Sequence, residues 1–310
     1  MKQELSKEKN FISAVVYVHN DADVIGEFVG KLYDALQKNF LKFELIFVND
    51  ASTDASVEII REVTSGFEGC ATSILSMSYH QGTEMAMNAG IDLSIGDFVY
   101  EFDSVLMDYD VDMVFDLYKE SLKGFDIVSA SPKNGQKWTS KLFYKVFNKF
   151  ANMEYMLSTE RFRVISRRAI NRVNSLSRTI PYRQAVYANC GLKLKTISYD
   201  GTKNRKSNKK DKSELAVNSL LLFTDVAYKA TRLMAVVMML LTLGMAVYAA
   251  VVFVAGQPIE GWTTLMLIIS GSFFGMFAIL TMIIKYEAVI LDLNFKKKEY
   301  VFESIEKISR

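Results

Sequence analysis

Asp103 ends the apolar run Phe98-Val99-Tyr100-Glu101-Phe102 and opens the segment Asp103-Ser104-Val105-Leu106-Met107-Asp108. A run of this composition reads as a buried parallel strand, which delivers its terminal carboxylate to the carboxyl edge of a sheet. Open α/β sheets bind ligands at that edge. Two carboxylates in Asp-x-Asp spacing can hold a divalent cation against phosphate oxygens there. In this chain the second acid is replaced by Val105, and Met107 is apolar as well. Asp103 is therefore the metal candidate, with Glu101 as a second: two residues earlier on a strand, Glu101 points to the same side. Asp108, Asp110 and Asp112 supply further carboxylates nearby. Burial beside a basic partner is the other reading of Glu101.

Three more polar turns follow apolar runs, and the elements between them must hold all four in place. Residues 11–18 read as a strand ending at His19-Asn20-Asp21-Ala22-Asp23, and residues 24–39 carry helical spacing. Asp21 and Asp23 sit where carboxylates cap free amides. Residues 43–48 form the next strand, Asn49-Asp50-Ala51-Ser52-Thr53-Asp54 a turn, and residues 55–64 a helix capped by Ser52 or Asp54. Residues 72–77 lead to Ser78-Tyr79-His80-Gln81-Gly82 and a helix over 83–93. This alternation predicts a parallel sheet with right-handed crossovers and both faces covered. Residues 111–122 then read as an amphipathic helix and 125–130 as a strand.

The chain has 310 residues, a formal net charge of +2 and 50% hydrophobic residues, with the apolar excess near the C-terminus. Residues 233–255 and 262–284 each run about 23 residues without a charge, long enough to cross a bilayer as helices. Lys229 and Arg232 precede the first run, Lys285, Lys296, Lys297 and Lys298 follow the second, and the connector 256–261 carries no base. The positive-inside rule then places both flanks in the cytoplasm. Residues 1–10 are charged and lack the apolar core of a signal peptide, so the preceding domain is expected there too. In that reducing compartment Cys70 and Cys190, without metal-ligand spacing, are expected as small core residues.

Residues 133–150 place Lys137, Lys141, Lys145 and Lys149 beside Trp138, Leu142, Phe143, Val146, Phe147 and Phe150. This stripe suits a helix in the interface of an anionic membrane, or an ordinary surface helix with solvated lysines. The run Lys203-Asn204-Arg205-Lys206-Ser207-Asn208-Lys209-Lys210-Asp211-Lys212 is a flexible linker or a phosphate-binding loop at the membrane surface.

In order and motif the chain resembles glycosyltransferase family 2 of the GT-A fold, and within it the polyprenyl-phosphate branch. Val15-Val16-Tyr17-Val18-His19-Asn20-Asp21 is similar to the family's first strand and Asn-Glu turn, with Tyr17 where Pro is usual. Phe47-Val48-Asn49-Asp50-Ala51-Ser52-Thr53-Asp54 resembles the Asp-Asp-Gly-Ser-x-Asp turn, whose acid reads the nucleotide base. His80-Gln81-Gly82-Thr83-Glu84-Met85-Ala86 is similar to Asn-Phe-Gly-Lys-Glu-Ala-Ala, with Thr83 at the basic position. Residues 141–149 resemble the branch's interface helix, and Glu160-Arg161-Phe162-Arg163-Val164 its Gly-Asp-Phe-Arg-Leu segment. The metal motif Asp-Ala-Asp-Leu-Gln-Asp falls on residues 103–108. The acceptor-side Asp falls on Arg161, which cannot act as a base.

The resemblance implies an α/β, Rossmann-like GT-A domain with a mostly parallel sheet over 1–200 and a basic juxtamembrane linker over 201–232. Two transmembrane helices, 233–255 and 262–284, and a cytosolic tail over 285–310 follow; the mixed apolar and charged residues 286–307 of the tail are expected to pack back on the domain. It implies a cytosolic-face enzyme of an inner membrane serving cell-envelope polysaccharide, moving a sugar from a nucleotide sugar to a polyprenyl phosphate. Asp103 and Arg163 are the expected catalytic residues. Tyr17, His19, Asn20, Asp21, Asp50, Ser52, Asp54 and Gly82 are expected at the nucleotide, and Arg163, Arg205 and Lys206 at the acceptor phosphate. Asp103 and Glu101 would hold Mg2+ or Mn2+, or Arg161 and Arg163 would neutralise the diphosphate in the metal's place. The second reading is a catalytically silent relative that binds nucleotide or partners an active glycosyltransferase. In it, Gly271 and Gly275 offer a face for association, for a homo-oligomer, or for packing one span on the other. No nucleic-acid partner is expected.

Overall fold

The computed structural model describes residues 7–133, 155–176, 182–201 and 302–309, with isolated positions in 144–149 and 233–290. The chain divides into two compact units, residues 1–148, 153–215 and 297–310 in one and 149–152 and 216–296 in the other.

In the first unit, strands β1 (Ile12–Val18), β2 (Phe43–Asn49), β3 (Cys70–Met77) and β4 (Phe98–Phe102) alternate with helices α1 (Ala22–Asn39), α2 (Ser56–Thr64) and α3 (Thr83–Leu93). Then come α4 (Met113–Ser121), β5 (Ile127–Pro132), β6 (Phe162–Ser166), α5 (Arg167–Leu176), α6 (Arg183–Ala188), β7 (Leu194–Tyr199) and β8 (Phe302–Ser309). The strands form one sheet in the order β7-β5-β6-β4-β1-β2-β3-β8. Neighbours β4, β1, β2 and β3 run parallel, as does β5 beside β7. The sheet is nevertheless mixed, because β6 runs antiparallel to β4 and β5, and β8 antiparallel to β3.

Continuous apolar runs in β1 and β2 leave both faces to be covered, and helices cover both. On one face Ile12, Ala14, Val16 and Val18 pack with Phe28, Val29 and Leu32 of α1, Ile60 of α2 and Leu117 and Tyr118 of α4. On the other, Val15, Ile46 and Val48 pack with Ala86, Met87 and Ala89 of α3, Ala169, Ile170 and Val173 of α5 and Tyr187 of α6. The period-two alternation of β1 thus divides between two cores. Predicted and observed elements differ at their ends by one to a few residues, where hydrogen bonding beyond the apolar run extends or trims each element.

α3 lies close on the sheet because Gly90 has no side chain. A methyl there would fall inside contact distance of Val15 and 2.6 Å from Val48 Cγ2. Gly90→Ala is therefore expected to destabilise the domain by about 1–3 kcal/mol through overpacking, despite alanine's better helix propensity. A urea titration followed by circular dichroism checks this; a midpoint at or above that of the wild type would contradict it.

The tail returns to the sheet: β8 pairs with the free edge of β3, and Arg61 of α2 holds Glu306 through Nη2 at 2.8 Å. In the second unit, the described positions between 233 and 290 are helical. Many of their large apolar side chains, including Leu233, Val237, Leu240, Ile269, Phe273 and Leu280, are exposed. Gly275 faces Met238, whose Sδ would lie 2.7 Å from an added Cβ, so this glycine packs one segment of the unit on the other. No helix among the described residues is long and apolar enough to cross a membrane; most of the two predicted spans lies outside those residues.

Candidate functional site

The carboxyl ends of β1, β2 and β3 carry three loops, and Asp50 ties them together. Its side chain is fully buried. Oδ1 accepts the amide of Gln81 at 2.8 Å; Oδ2 accepts the amide of Gly82 at 2.8 Å and the Tyr17 hydroxyl at 3.0 Å. His80 Nδ1 lies 2.9 Å from Oδ2, and His19 Nδ1 lies 2.7 Å from the Asp50 carbonyl oxygen. The chain's only two histidines consequently pack with ring centroids 4.2 Å apart.

The neighbouring turn is held by short polar side chains. Asn20 and Ala51 both adopt positive φ, 54° and 53°, backbone that costs a non-glycine residue energy and persists only where contacts impose it. Asn20 Oδ1 accepts the Thr53 amide at 2.8 Å, the Asn20 amide donates to Ser52 Oγ at 3.1 Å, and the Asp21 amide donates to Ser56 Oγ at 2.9 Å. The cap expected of Asp21 on α1 falls to Asp54, which also keeps its expected place at the start of α2. Asp21 precedes α1 but its carboxylate accepts the His19 amide, whereas Asp54 accepts the first amide of α1, from Ala22, at 3.0 Å. Asp54 also accepts the Ser56 amide and hydroxyl at the start of α2, so one carboxylate serves two helices.

Burial pushes the Asp21 carboxyl above the ordinary range. Burial acts on Asp54 in the same direction, but the Ser56 hydroxyl and the Ala22 and Ser56 amides outweigh it and hold this carboxyl low. Asp54 therefore contributes stability above its ordinary titration range, and the contribution is lost as pH falls through its lowered folded value. Urea midpoints measured from pH 5 to pH 3 should fall less steeply for Asp54→Asn than for the wild type; parallel slopes would contradict this.

The acids of β4 meet a different fate. Glu101 and Asp103 do face the same side, and two guanidinium groups lie between and beside them. Arg163, opposite Glu101 on β6, places Nη2 2.9 Å from Asp103 Oδ2 and Nη1 3.3 Å from Glu101 Oε2, with Nε 3.0 Å from Glu160 Oε2. Arg183, the first residue of α6, places Nη1 3.2 Å from Glu101 Oε2 and Nε 2.9 Å from Glu84 Oε2, and its Nη2 donates to Asp103 Oδ1. Glu101 Oε1 accepts the Tyr187 hydroxyl at 2.5 Å. Arg183 and Glu101 are fully buried, Arg163 is 5% exposed, and Asp103 at 26% is the member that reaches the surface. Burial opposes the charge on Arg163, but Asp103, Glu160 and Glu101 outweigh it and hold the guanidinium firmly protonated.

A divalent cation does not fit this set. Hard cations of this kind take about six or more oxygen ligands, and a guanidinium already occupies the space between the acids. Val105 joins the core on the opposite face, and Met107 packs beside it. The nearby acids also turn elsewhere: Asp108 accepts from Arg161 at 2.9 Å and from the Tyr199 hydroxyl at 2.7 Å, Asp110 accepts the Asp112 amide, and Asp112 pairs with Lys38. Among the described residues, no group of three or more His, Cys, Asp or Glu has the geometry of a metal site. Arg161 is thereby a partner of Asp108 and is not part of the Glu101–Asp103 cluster.

The structure thus gathers Tyr17, His19, Asn20, Asp21, Asp50, Ser52, Asp54 and Gly82 at one end of the sheet and places Asp103, Glu101 and Arg163 at the end of β4. Arg205 and Lys206 lie outside the described residues, as do residues 134–143; of the basic stripe, Lys145 and Lys149 are exposed while Phe147 is buried. Arg183, Glu84 and Tyr187 carry the cluster, although none of the three is an expected site residue. Glu84 at least lies in the His80 to Ala86 segment that resembles a family motif. Arg183 stands in no motif that could signal it.

The order of strands and helices, and the site at the carboxyl edge, define an α/β protein of GT-A fold. A mannosyltransferase of Pyrobaculum calidifontis, solved in complex with GDP-Man and Mn2+, superposes with a TM-score of 0.52 at 16% identity, covering 74% of this chain and 66% of that one. The model of glycosyl transferase family 2 matches residues 13–173, just over half of the chain, and the protein belongs to that family. An uncharacterized glycosyltransferase of Synechocystis sp. is 26% identical over 195 residues, 61% of this chain and 60% of the relative. A prophage bactoprenol glucosyl transferase homolog of Escherichia coli is 25% identical over 194 residues, 61% of this chain and 62% of the relative. The match to these curated relatives thus spans about three fifths of their length.

Proposed function

We propose that the protein transfers a glycosyl group from a nucleotide sugar to a polyprenyl phosphate at the cytosolic face of a membrane. The observation that carries the reading is the grouping of Asp50 and Asp103 at one sheet edge. They follow β2 and β4, which flank β1, so they stand two strand spacings apart, about 10 Å. One nucleotide sugar spans that distance, with its base against the Asp50 loops and its sugar phosphate toward Asp103. The likeness to bactoprenol glucosyl transferases supports the acceptor class. The apolar runs at 233–255 and 262–284, the exposed apolar side chains in them and the basic residues flanking them support a membrane location, with both termini cytoplasmic.

In the reaction an oxygen of the acceptor phosphate forms a bond to the anomeric carbon as the bond from that carbon to the diphosphate breaks, releasing the nucleoside diphosphate. A phosphate monoester is already anionic, so no general base is required and Arg161 in place of an acid is tolerated. The protein's contribution is positioning and charge stabilisation. Arg163 and the basic run containing Arg205 and Lys206 would face the acceptor phosphate.

The test incubates the full chain in detergent with undecaprenyl phosphate and a panel of radiolabelled nucleotide sugars. Label should enter the organic-extractable lipid only when both substrates are present. No labelled lipid with any donor would overturn the reading. One observation favours a second reading, a silent relative that partners an active enzyme: Glu101 and Asp103 are already engaged by arginine. That reading expects nucleotide binding without labelled lipid, and recovery of an active glycosyltransferase with the protein.

A further inference from the structure

We propose that Arg183 is a built-in cation: it fills the place among Glu84, Glu101 and Asp103 that a divalent metal would take. Nucleoside diphosphate then binds without Mn2+ or Mg2+, and removing the guanidinium opens a divalent-cation site that the wild type lacks. The nucleotide half of this inference rests on the glycosyltransferase reading; the cation half does not.

Three acids from two elements converge on one guanidinium. Glu84 comes from the first turn of α3, Glu101 from within β4 and Asp103 from just past its end, and each gives one oxygen to a different nitrogen of Arg183. Guanidinium and divalent cation serve the same purpose here, holding like charges together in a buried place, but the guanidinium is covalently part of the chain. An incoming metal would have to displace it. Arg183 is fully buried. Arg163 closes the other side, so that each Asp103 oxygen carries a guanidinium, and a metal on Asp103 would lie against two unit positive charges.

Arg163 adds to the positive charge that a metal would meet. Arg163 is buried, yet its Nε and Nη1 have no hydrogen-bond acceptor in good alignment, although carboxylates lie within ion-pair distance. Those two nitrogens face Glu160 and Glu101, while Nη2 is the one on Asp103. Two guanidinium groups on one exposed carboxylate favour an anionic ligand such as a phosphate over a second cation.

The experiment uses the full chain in lipid nanodiscs. Mn2+ alone is titrated and followed by the electron paramagnetic resonance signal of the free ion; UDP and GDP are titrated calorimetrically with EDTA or with Mn2+. The wild type is expected to leave the Mn2+ signal intact and to bind the preferred nucleotide with affinities that agree within about twofold in the two conditions. Arg183→Met should take up Mn2+, and its thermal midpoint should rise with added Mn2+. Arg183→Lys, which keeps the charge, should exclude the ion as the wild type does. Stoichiometric Mn2+ uptake by the wild type, or a nucleotide affinity that rises tenfold or more with Mn2+, would overturn the assignment. A folded Arg183→Met that takes up no Mn2+ would overturn the cation-site half. Where Arg183→Met does not fold, the wild-type and Arg183→Lys titrations decide. Binding of neither nucleotide in either condition would remove the glycosyltransferase reading, while the Mn2+ titrations would still decide whether Arg183 excludes a metal.

Discussion

Arg183→Met is expected to lower the stability of the GT-A domain by about 3–5 kcal/mol, the cost of removing one partner from a buried ion cluster. The residue is fully buried and holds Glu84, Glu101 and Asp103. Methionine fills much of the same volume, so the loss comes from charge and hydrogen bonding more than from a cavity. Glu101 and Asp103 would keep only Arg163 among the guanidiniums, and Glu84 would lose the Arg183 side chain. For a domain of this size 1 kcal/mol moves the melting midpoint by roughly 2–4 °C, so a fall of about 10 °C is expected. Circular dichroism melts without added metal measure it. Adding Glu101→Gln to the variant should restore part of the loss, because one buried charge goes with it. A midpoint within the error of the wild type would show that the cluster does not support the fold.

Asp50→Ala is the second large effect, expected at about 2–5 kcal/mol together with a loss of nucleotide binding of tenfold or more. Its carboxylate accepts the Gln81 and Gly82 amides and the Tyr17 hydroxyl. Alanine leaves the two amides without their acceptor and lets the loop before α3 move relative to β1 and β2. The Tyr17 hydroxyl can turn to water, so the amides dominate the cost. Asp50→Asn should behave similarly on the Gln81–Gly82 side, since its amide nitrogen cannot accept the second N–H. Calorimetric titration with nucleoside diphosphates, combined with a urea midpoint, separates the two effects. Unchanged affinity in a destabilised variant would show that Asp50 supports the loops without serving the ligand.

The loop cluster around Asp50 is legible in the sequence because its parts are local. Each polar turn follows an apolar run whose burial fixes its direction, so the turns after β1, β2 and β3 have to meet at one edge. The details inside that cluster are less legible. Asp54 takes the α1 cap expected of Asp21 while keeping its own at α2, because side-chain reach across two adjacent loops decides which amide each carboxylate meets. The two-residue period of a strand does place Glu101 and Asp103 on one side. Asp108, Asp110 and Asp112 are not available to them, since those acids meet Arg161, Tyr199, Lys38 and local amides instead.

By itself the sequence determined the alternation of strands and helices, the two faces of β1, the positions of the polar turns and the two uncharged apolar runs. Backbone periodicity and hydrophobic burial act over a few residues, and both are written directly into residue spacing. Only the tertiary structure decided what neutralises the acids of β4. Arg183 lies 80 residues beyond Asp103, at the start of a short helix where an arginine reads as a solvated side chain. Its meaning comes from α6 packing on the same face as Glu101. That the mixed apolar and charged tail packs back on the domain is legible, but its pairing as β8 with the edge of β3 is not, because strand pairing across more than two hundred residues depends on which edge the rest of the fold leaves open.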